Sequence, residues 1–386
     1  IVLEMLARHW SPDDFPKVLR QIVRVAKGRS LATADVVRLF SQISGTDLEP
    51  FARQYIYGTG LPEVDYDWSI ESKPEGKFAV KVAASQHAPY HLRYRVVRGA
   101  TGRLELAREA VVELETGSSA LVVPFQVEVE LSDAEYDRIA REQKDEPEEK
   151  KRKKGEKRSG TATGSLAFRG ESLATEITVD QRPTDFWLDR EETVFGRFFD
   201  ARRRPKLALF RRGSDALARG RRAEAEKLLT QALTAETFVV VGNDEKPDAK
   251  VLRDARDFLD ARSHLALANS ALEAADLPRA ERERAAAKRL LDSRKEGVLE
   301  TDLLMLEARL DLAKGEAQKA FRALRKAVLK RSSVDETEAW LILALTALEA
   351  GELDDCQEAL DVVREREVDV KLLAEALAAK KKAAKG

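Results

Sequence analysis

The sequence predicts a multidomain protein that combines α-helical and β-strand domains in the order helices, strands, helices. Apolar residues recur at helical spacing in residues 1–62. Over residues 63–200 they alternate with polar residues in short runs, and this pattern is typical of an antiparallel β-sandwich. After Pro205 the helical spacing returns and small residues recur, which predicts an α-solenoid of helical repeats over residues 205–380. A chain of 386 residues is long enough for two or three domains.

Residues 1–62 carry the start and stop signals of three helices. Ser11-Pro12-Asp13-Asp14 combines a capping side chain, a Pro at the first helical position and two acids in the first turn. Thr33 is expected to cap the second helix, and Gly45 is expected to end it. A third helix is expected to end at Gly58.

Over residues 63–200 the apolar period changes to two. The first such run begins at Val64, and further runs follow at the spacing of short antiparallel strands. A nearly fully charged block, followed by the linker-like sequence of residues 159–164, interrupts the pattern. Because this block holds almost no apolar side chain that a core could bury, we expect a disordered charged loop near residues 143–163.

Small residues recur at matched positions in four successive units of the helical C-terminal part. Each unit has a turn residue between two helices, and these turn residues are Gly220, Ala275, Gly315 and Gly351. The last two intervals, 40 and 36 residues, resemble the period of the tetratricopeptide repeat, which is about 34 residues. The first interval contains an extra segment, Phe238–Phe258. We expect a tetratricopeptide-like α-solenoid, with the resemblance covering about residues 206–366.

Charge and composition argue against several classes of partner. The chain holds 67 basic and 68 acidic residues, so no overall charge attracts it to nucleic acid. No apolar run reaches the roughly 18 residues of a membrane span. The single cysteine, Cys356, cannot form an intramolecular disulfide, which suits the cytoplasm and also the cell envelope. We expect neither a nucleic-acid partner nor a membrane span, and nothing in the sequence defines an oligomeric state.

Among the four histidines, one pair has the spacing of a zinc site. His87 and His91 have the i, i+4 separation of two zinc ligands on a helix, but Pro89 lies between them and no Glu follows His87. Two half-exposed histidines near a β-turn are the favoured interpretation. Cys356 occupies the small position of its repeat, and it is expected to be buried and inert. We therefore predict no catalytic, metal-binding or cofactor-binding residue within this chain.

Two further patterns have structural interpretations. Gly58-Thr59-Gly60 is interpreted as a turn rather than as a phosphate-binding loop, because no strand leads into it. Lys150–Lys154 is a basic run without aromatic residues, and Glu residues flank it on both sides. A solvated charged segment is the favoured interpretation of that run, and attraction to an anionic surface is the alternative.

Five short motifs of the N-terminal part stand in a specific order. They are Val2-Leu3-Glu4-Met5-Leu6, Ser11-Pro12-Asp13-Asp14-Phe15, Thr33-Ala34-Asp35, Ser44-Gly45-Thr46-Asp47-Leu48-Glu49-Pro50-Phe51 and Tyr57-Gly58-Thr59-Gly60-Leu61-Pro62. In this order and spacing they resemble alanyl-aminopeptidase-like gluzincin zinc metallopeptidases. Trp187-Leu188-Asp189 is similar to the close of the β-sandwich that follows the catalytic domain in that family. The resemblance covers about residues 1–195.

The resemblance implies that residues 1–62 are the helical C-terminal end of a metallopeptidase catalytic domain. The family's zinc ligands, general-base Glu and transition-state Tyr have no matching positions here and are expected before Ile1. Zinc is therefore implied for the parent protein and not for this chain. The repeats after residue 205 depart from the family's usual helical bundle and resemble tetratricopeptide units instead.

The expected function is that of a non-catalytic C-terminal portion of a zinc metallopeptidase homologue, inactive by itself. Its β-sandwich and helical repeats are expected to shape the peptidase cleft or to bind a peptide or partner protein. The alternative is a tetratricopeptide-type adaptor for protein–protein interaction without peptidase activity, whose charged concave face selects acidic or basic tails.

Overall fold

The computed structural model describes Met5, Ala7 and residues 15–28, 30–45, 47–57, 63–87, 90–99, 102–112, 121–142, 158–168, 172–194, 196–242, 244–292, 299–330, 337–364 and 368–384. The predictions made for residues 11–14, 58–62 and 143–157, including the basic run Lys150–Lys154, fall outside these ranges.

The structure combines α-helices with small, mostly antiparallel β-sheets, and its C-terminal region is helical. It divides into two compact units. The first, which we call the β-rich unit, comprises Ile1–Tyr90, Val112–Ala208 and Phe238–Lys246. The second, which we call the helical unit, comprises His91–Val111, Leu209–Thr237 and Pro247–Gly386.

Three helices open the described part of the β-rich unit. They are α1, Phe15–Ala26; α2, Thr33–Ser44; and α3, Glu49–Ala52, which continues as a π-helical turn over Arg53–Tyr57. The predicted stop at Gly45 is confirmed, because this residue has φ of 71° and its N–H donates to the Ser41 carbonyl oxygen. The predicted cap at Thr33 is wrong. Thr33 is the first helical residue, and the Asp35 carboxylate reaches back to accept a hydrogen bond from the N–H of Ala32.

Nine strands lie within the described ranges, and most of them build two sheets of the β-rich unit. They are β1, Glu63–Ser72; β2, Phe78–His87; β3, Tyr90–Arg98; β4, Leu104–Val112; β5, Leu121–Leu131; β6, Arg158–Phe168; β7, Ser172–Val179; β8, Pro183–Leu188; and β9, Arg197–Asp200. The first sheet has the order β7-β2-β1-β9, in which only β9 pairs in parallel, with β1. The second has the antiparallel order β6-β5-β8. Helix α4, Asp133–Glu142, follows β5.

One apolar cluster contains side chains from both sheets and from the N-terminal helices. Every second residue at the start of β1 and along β5 is buried in it, as the period of two predicts. Phe186 of β8 joins the two sheets, because its ring centroid lies 6.0 Å from that of Tyr66 in β1 and 6.0 Å from that of Phe125 in β5.

The linker-like residues 159–164 form the first part of β6, so the expectation of a loop there is wrong. A Cβ on Gly160 would lie 2.7 Å from Leu131 Cδ1, and a Cβ on Gly164 would lie 2.5 Å from Phe125 Cζ. Large side chains of β5 therefore cover these positions, where only glycine leaves room. The small residues mark close packing in a strand and not a flexible connection.

Four helical hairpins lie within the described ranges, and all their residues except 205–208, which are part of the β-rich unit, belong to the helical unit. They are α5–α6, Pro205–Ala218 and Arg222–Thr234; α7–α8, Ala249–Glu273 and Leu277–Asp292; α9–α10, Glu300–Ala313 and Ala317–Lys330; and α11–α12, Thr337–Ala350 and Leu353–Arg364. A further helix, α13, covers Lys371–Ala383. The predicted turn residues Gly220, Ala275, Gly315 and Gly351 are confirmed, since they separate the two helices of each hairpin with φ of 73°, 59°, 85° and 83°. This left-handed conformation explains the preference for Gly at the position.

The hairpin of β3 and β4 is counted with the helical unit, although its alternating sequence resembles that of the other strands. Val96 and Leu104 are buried in the same apolar cluster as residues of α9 to α13. The N–H of Val96 also donates to the Asp369 carbonyl oxygen at 3.4 Å. Alternation of apolar residues identifies a strand, but it does not tell which surface the strand packs against.

Candidate functional site

The histidine pair that has zinc-ligand spacing in the sequence does not form a metal site in the described structure. His87 is the last residue of β2 and His91 is the second residue of β3, so the two histidines lie on different strands and not on one helix. Among the described residues, no group of three or more His, Cys, Asp or Glu side chains could hold a metal ion. No helix in the same residues is both long and apolar enough to cross a membrane.

Cys356 lies in α12 and its side chain is fully buried. Burial raises the pKa of the thiol to about 11, and the charges of Lys381 and Lys380 offset only part of this rise. The thiol is therefore protonated at neutral pH and is a poor nucleophile.

The helical unit contains a cavity of about 190 Å³. Its polar lining residues are Arg108, Ser214, Arg262, Asn269, Asp302 and Glu338. Its apolar lining residues are Phe210, Leu265, Ala266, Met305 and Leu306. All except Arg108, which belongs to β4, lie on α5, α7, α9 and α11, the first helix of each hairpin. On α5, α7 and α9 they recur at three- and four-residue spacing, which places them on one face of each helix.

A partly buried ion pair, in which the Arg108 side chain is 23% exposed, forms what we call the inner wall of this cavity. Glu338 lies in the first turn of α11 and is only 9% exposed. Its carboxylate pairs with the Arg108 guanidinium and accepts a hydrogen bond from the Tyr94 hydroxyl at 3.2 Å. The Nε of Arg108 is buried and has no hydrogen-bond partner among the described residues. A buried donor in this state is costly unless a ligand or water satisfies it.

A second arginine supports the polar wall from α9. Arg309 Nη1 donates to Asn269 Oδ1 at 2.6 Å, and Asn269 Nδ2 donates to the Leu265 carbonyl oxygen at 3.0 Å. Both polar atoms of the Asn269 amide are thereby used within the protein. Burial lowers the pKa of Arg309 to about 10, and the nearby charge of Arg108 contributes to this decrease. Arg309 therefore still carries its charge at neutral pH.

The mouth of the cavity carries one cation and one anion that do not pair with each other. Arg262 is exposed, and its guanidinium carbon lies 4.8 Å from the Phe210 ring centroid and 5.7 Å from that of Phe258. Asp302 is open to solvent on one side but has protein around its other sides. This partial burial, followed by the charge of Glu338, raises the pKa of the Asp302 carboxyl, while Arg262 and Arg108 oppose the rise. Neither charged group forms an ion pair or hydrogen bond with a described residue, so both are open to a ligand.

The β-rich unit contains a different polar cluster, centred on Arg203. This side chain is 4% exposed, and it forms ion pairs with Asp185, Asp200 and Asp244. Its guanidinium carbon also lies 3.8 Å from the Trp187 ring centroid. Burial alone would lower the pKa of Arg203, but hydrogen bonds to Asp185 and Asp244 raise it above its ordinary value. Because the donors and acceptors satisfy one another in a closed interior, the cluster holds the fold together and offers no ligand site.

Little in the sequence predicts the polar lining of the cavity or the Arg203 cluster. Arg262, Asp302 and Glu338 come from three separate helices, and no motif connects them. One usable signal was Glu338, a charged residue just before the apolar run of α11. Comparison with protein-family models and with curated proteins finds no match to this chain.

Proposed function

We propose that this protein is a non-catalytic binding scaffold whose helical repeats, over residues 205–380, hold a peptide or a partner protein. The cavity of the helical unit supports this proposal. Its lining comes from the first helix of all four hairpins together with β4, so the hairpins share one continuous surface. Stacked helical repeats commonly bind partners on such a surface. Free charges at its mouth supply the polar contacts that a ligand needs.

We also propose the finer architecture that the sequence predicted. The four hairpins form a tetratricopeptide-like solenoid, which is supported by the left-handed turn residue in each hairpin. The two sheets of the β-rich unit form a β-sandwich, which is supported by the apolar cluster that contains residues of both sheets. Small-angle scattering and an experimental structure would test both.

The resemblance to gluzincin metallopeptidases extends the same proposal. Residues 1–62 would be related to the helical end of a peptidase catalytic domain, and zinc would belong to that domain rather than to this chain. The order of α1 to α3 before β1 is the order that the resemblance implies. Purified chain supplied with zinc is expected not to hydrolyse aminoacyl-anilide substrates. Zinc-dependent hydrolysis that a chelator stops would overturn the non-catalytic assignment.

Peptide selection tests the binding role. Short random peptides displayed on phage would be selected on the full chain and compared on two variants. Ala266→Phe puts a ring into the cavity from α7, whereas Ala274→Phe adds the same ring at the exposed end of that helix. Both variants would first be checked for an unchanged thermal transition by circular dichroism.

The expected result is a set of enriched peptides that bind the wild type and Ala274→Phe alike. Their affinity for Ala266→Phe should be at least about 10-fold lower, since about 1.4 kcal/mol of lost contact free energy already gives this factor. Lack of enrichment would contradict the binding role. Equal binding to both variants would remove the cavity as its location.

A further inference from the structure

We propose that the cavity of the helical unit binds a free α-amino acid with an apolar side chain, its carboxylate at Arg262 and its ammonium at Asp302. This inference rests on the binding role proposed above, and it names a ligand class for the same cavity. Three features carry it: the two free opposite charges at the mouth, the apolar floor, and the size of the space.

The first feature is the balance of charge at the mouth. Arg262 and Asp302 both line the cavity, and neither is neutralised by a described residue. A ligand that is only an anion would pair with Arg262 but face the repulsion of Asp302. A ligand that is only a cation would pair with Asp302 but be repelled by Arg262. A zwitterion pairs with both groups at once, so the arrangement selects for it and against singly charged molecules.

The inner wall does not disturb this balance. Glu338 is the other carboxylate in the lining, and the Arg108 guanidinium already pairs with it. The pair contributes no net charge toward a ligand. Arg262 is different, because it rests against the Phe210 ring and keeps the donors at the edge of its planar group for a carboxylate.

The second feature is the floor of the cavity. Phe210, Leu265, Met305 and Leu306 line it, and all four are buried. An aliphatic side chain placed against them would be removed from water and would contact apolar atoms instead. The hydroxyl of Ser214 makes no hydrogen bond to a described residue and is available to the polar end of the same ligand.

The third feature is size. A volume of about 190 Å³ corresponds to about six water molecules at about 30 Å³ each. This is enough for one amino acid, and it is less than the roughly 300–1,000 Å³ of pockets that enclose drug-sized ligands. The space therefore matches a single residue-sized molecule.

Isothermal titration calorimetry on the full chain tests the proposal. L-leucine and L-methionine are the probes, N-acetyl-leucine lacks the ammonium, leucinamide lacks the carboxylate, and glycine lacks the side chain. We expect leucine or methionine to bind at millimolar concentration or better, and each of the three deficient compounds to bind at least about 10-fold more weakly.

Two variants locate the charges of the ligand. Arg262→Gln is expected to lower the affinity for leucine. It should also remove the difference in affinity between leucine and leucinamide, because the variant lacks the group that pairs with the ligand carboxylate. Asp302→Asn is expected to remove the difference in affinity between leucine and N-acetyl-leucine, because the variant lacks the charge that pairs with the ligand ammonium. Arg282→Gln on α8 and Asp354→Asn on α12 are matched controls, because both residues are exposed and neither lines the cavity. The controls should bind leucine as the wild type does.

Three results would overturn the inference. They are no detectable heat with either amino acid, equal affinity for N-acetyl-leucine and leucine, and leucine binding that Arg262→Gln and Asp302→Asn leave unchanged. The peptide selection is read separately. Leucine binding without peptide binders would contradict only the peptide role, and peptide binders without leucine binding would contradict only this inference.

Discussion

Replacing Arg203 by Met should destabilise the β-rich unit strongly. The variant keeps a long side chain but removes the only guanidinium of the described cluster around Asp185, Asp200 and Asp244. Two of these carboxylates are themselves nearly inaccessible, at 2% and 6% exposure for Asp185 and Asp200. They would remain in the interior without their counter-charge, and their own hydrogen bonds from Phe186 N–H and Trp68 Nε1 would not compensate.

The expected cost is about 3–5 kcal/mol, the usual loss when one partner of a buried ion pair is removed. Loss of the contact with the Trp187 ring, at 3.8 Å, adds to it. Since a domain is stable by only about 5–15 kcal/mol, this is a large fraction of the total. Urea unfolding followed by tryptophan fluorescence is the assay, and at a slope of about 1–3 kcal/mol/M the midpoint should fall by about 1 M or more.

Arg204→Met is the matched control, because Arg204 is the next residue along the chain and is exposed. It should change the free energy of unfolding by less than about 0.5 kcal/mol. Adding Asp185→Asn and Asp200→Asn to Arg203→Met should recover part of the loss, since it removes the unpaired charges. The reasoning is refuted if Arg203→Met and Arg204→Met unfold at the same urea concentration.

Three further predictions concern single positions. Gly164→Ala should lower the free energy of unfolding in urea by about 1–3 kcal/mol, because the added Cβ clashes with the Phe125 ring. Adding Phe125→Leu should recover part of this loss. An unchanged free energy of unfolding for Gly164→Ala would contradict the packing described for β6. Ala275→Gly should raise the free energy of unfolding by about 0.5–1 kcal/mol and Gly315→Ala should lower it by about 1 kcal/mol, because both turn residues have positive φ. Effects of the opposite sign would argue against this turn geometry. Cys356 should react with a thiol reagent roughly 100-fold more slowly in the native chain than in urea, because burial raises its pKa to about 11; equal rates would show that the thiol is accessible.

The hairpin turns were predictable because their signal is local. A residue in the left-handed conformation is recognisable from its own identity, and Gly220, Gly315 and Gly351 recur between helices of similar length. Ala275 was recognised only because the repeat placed it at the same position. The alternating pattern of β5 was similarly informative, since this strand buries one face. In β1 it is only partly so, because Asp65 on the opposite face is buried as well and Ile70 is exposed.

Long-range packing explains what the sequence did not reveal. Residues 159–164 contain the small residues of a linker, and only the facing side chains of Leu131 and Phe125 explain them as part of a strand. The cavity is harder still to foresee, because Arg108 and Glu338 are separated by 230 residues in the chain. Their pairing depends on which surface the β3–β4 hairpin packs against, and periodicity carries no such information.

The interleaved course of the chain limits how this protein can be dissected. Neither unit is a single stretch of sequence: the helical unit includes His91–Val111, and the β-rich unit includes Phe238–Lys246. A protein expressed from residue 205 onward would lack Tyr94 and Arg108, the two groups that hold the Glu338 carboxylate. One ending at residue 204 would lack Asp244, a partner of Arg203. Gene truncation at the boundary that composition suggests would therefore damage both halves, and substitutions in the intact chain are the sounder route to its function.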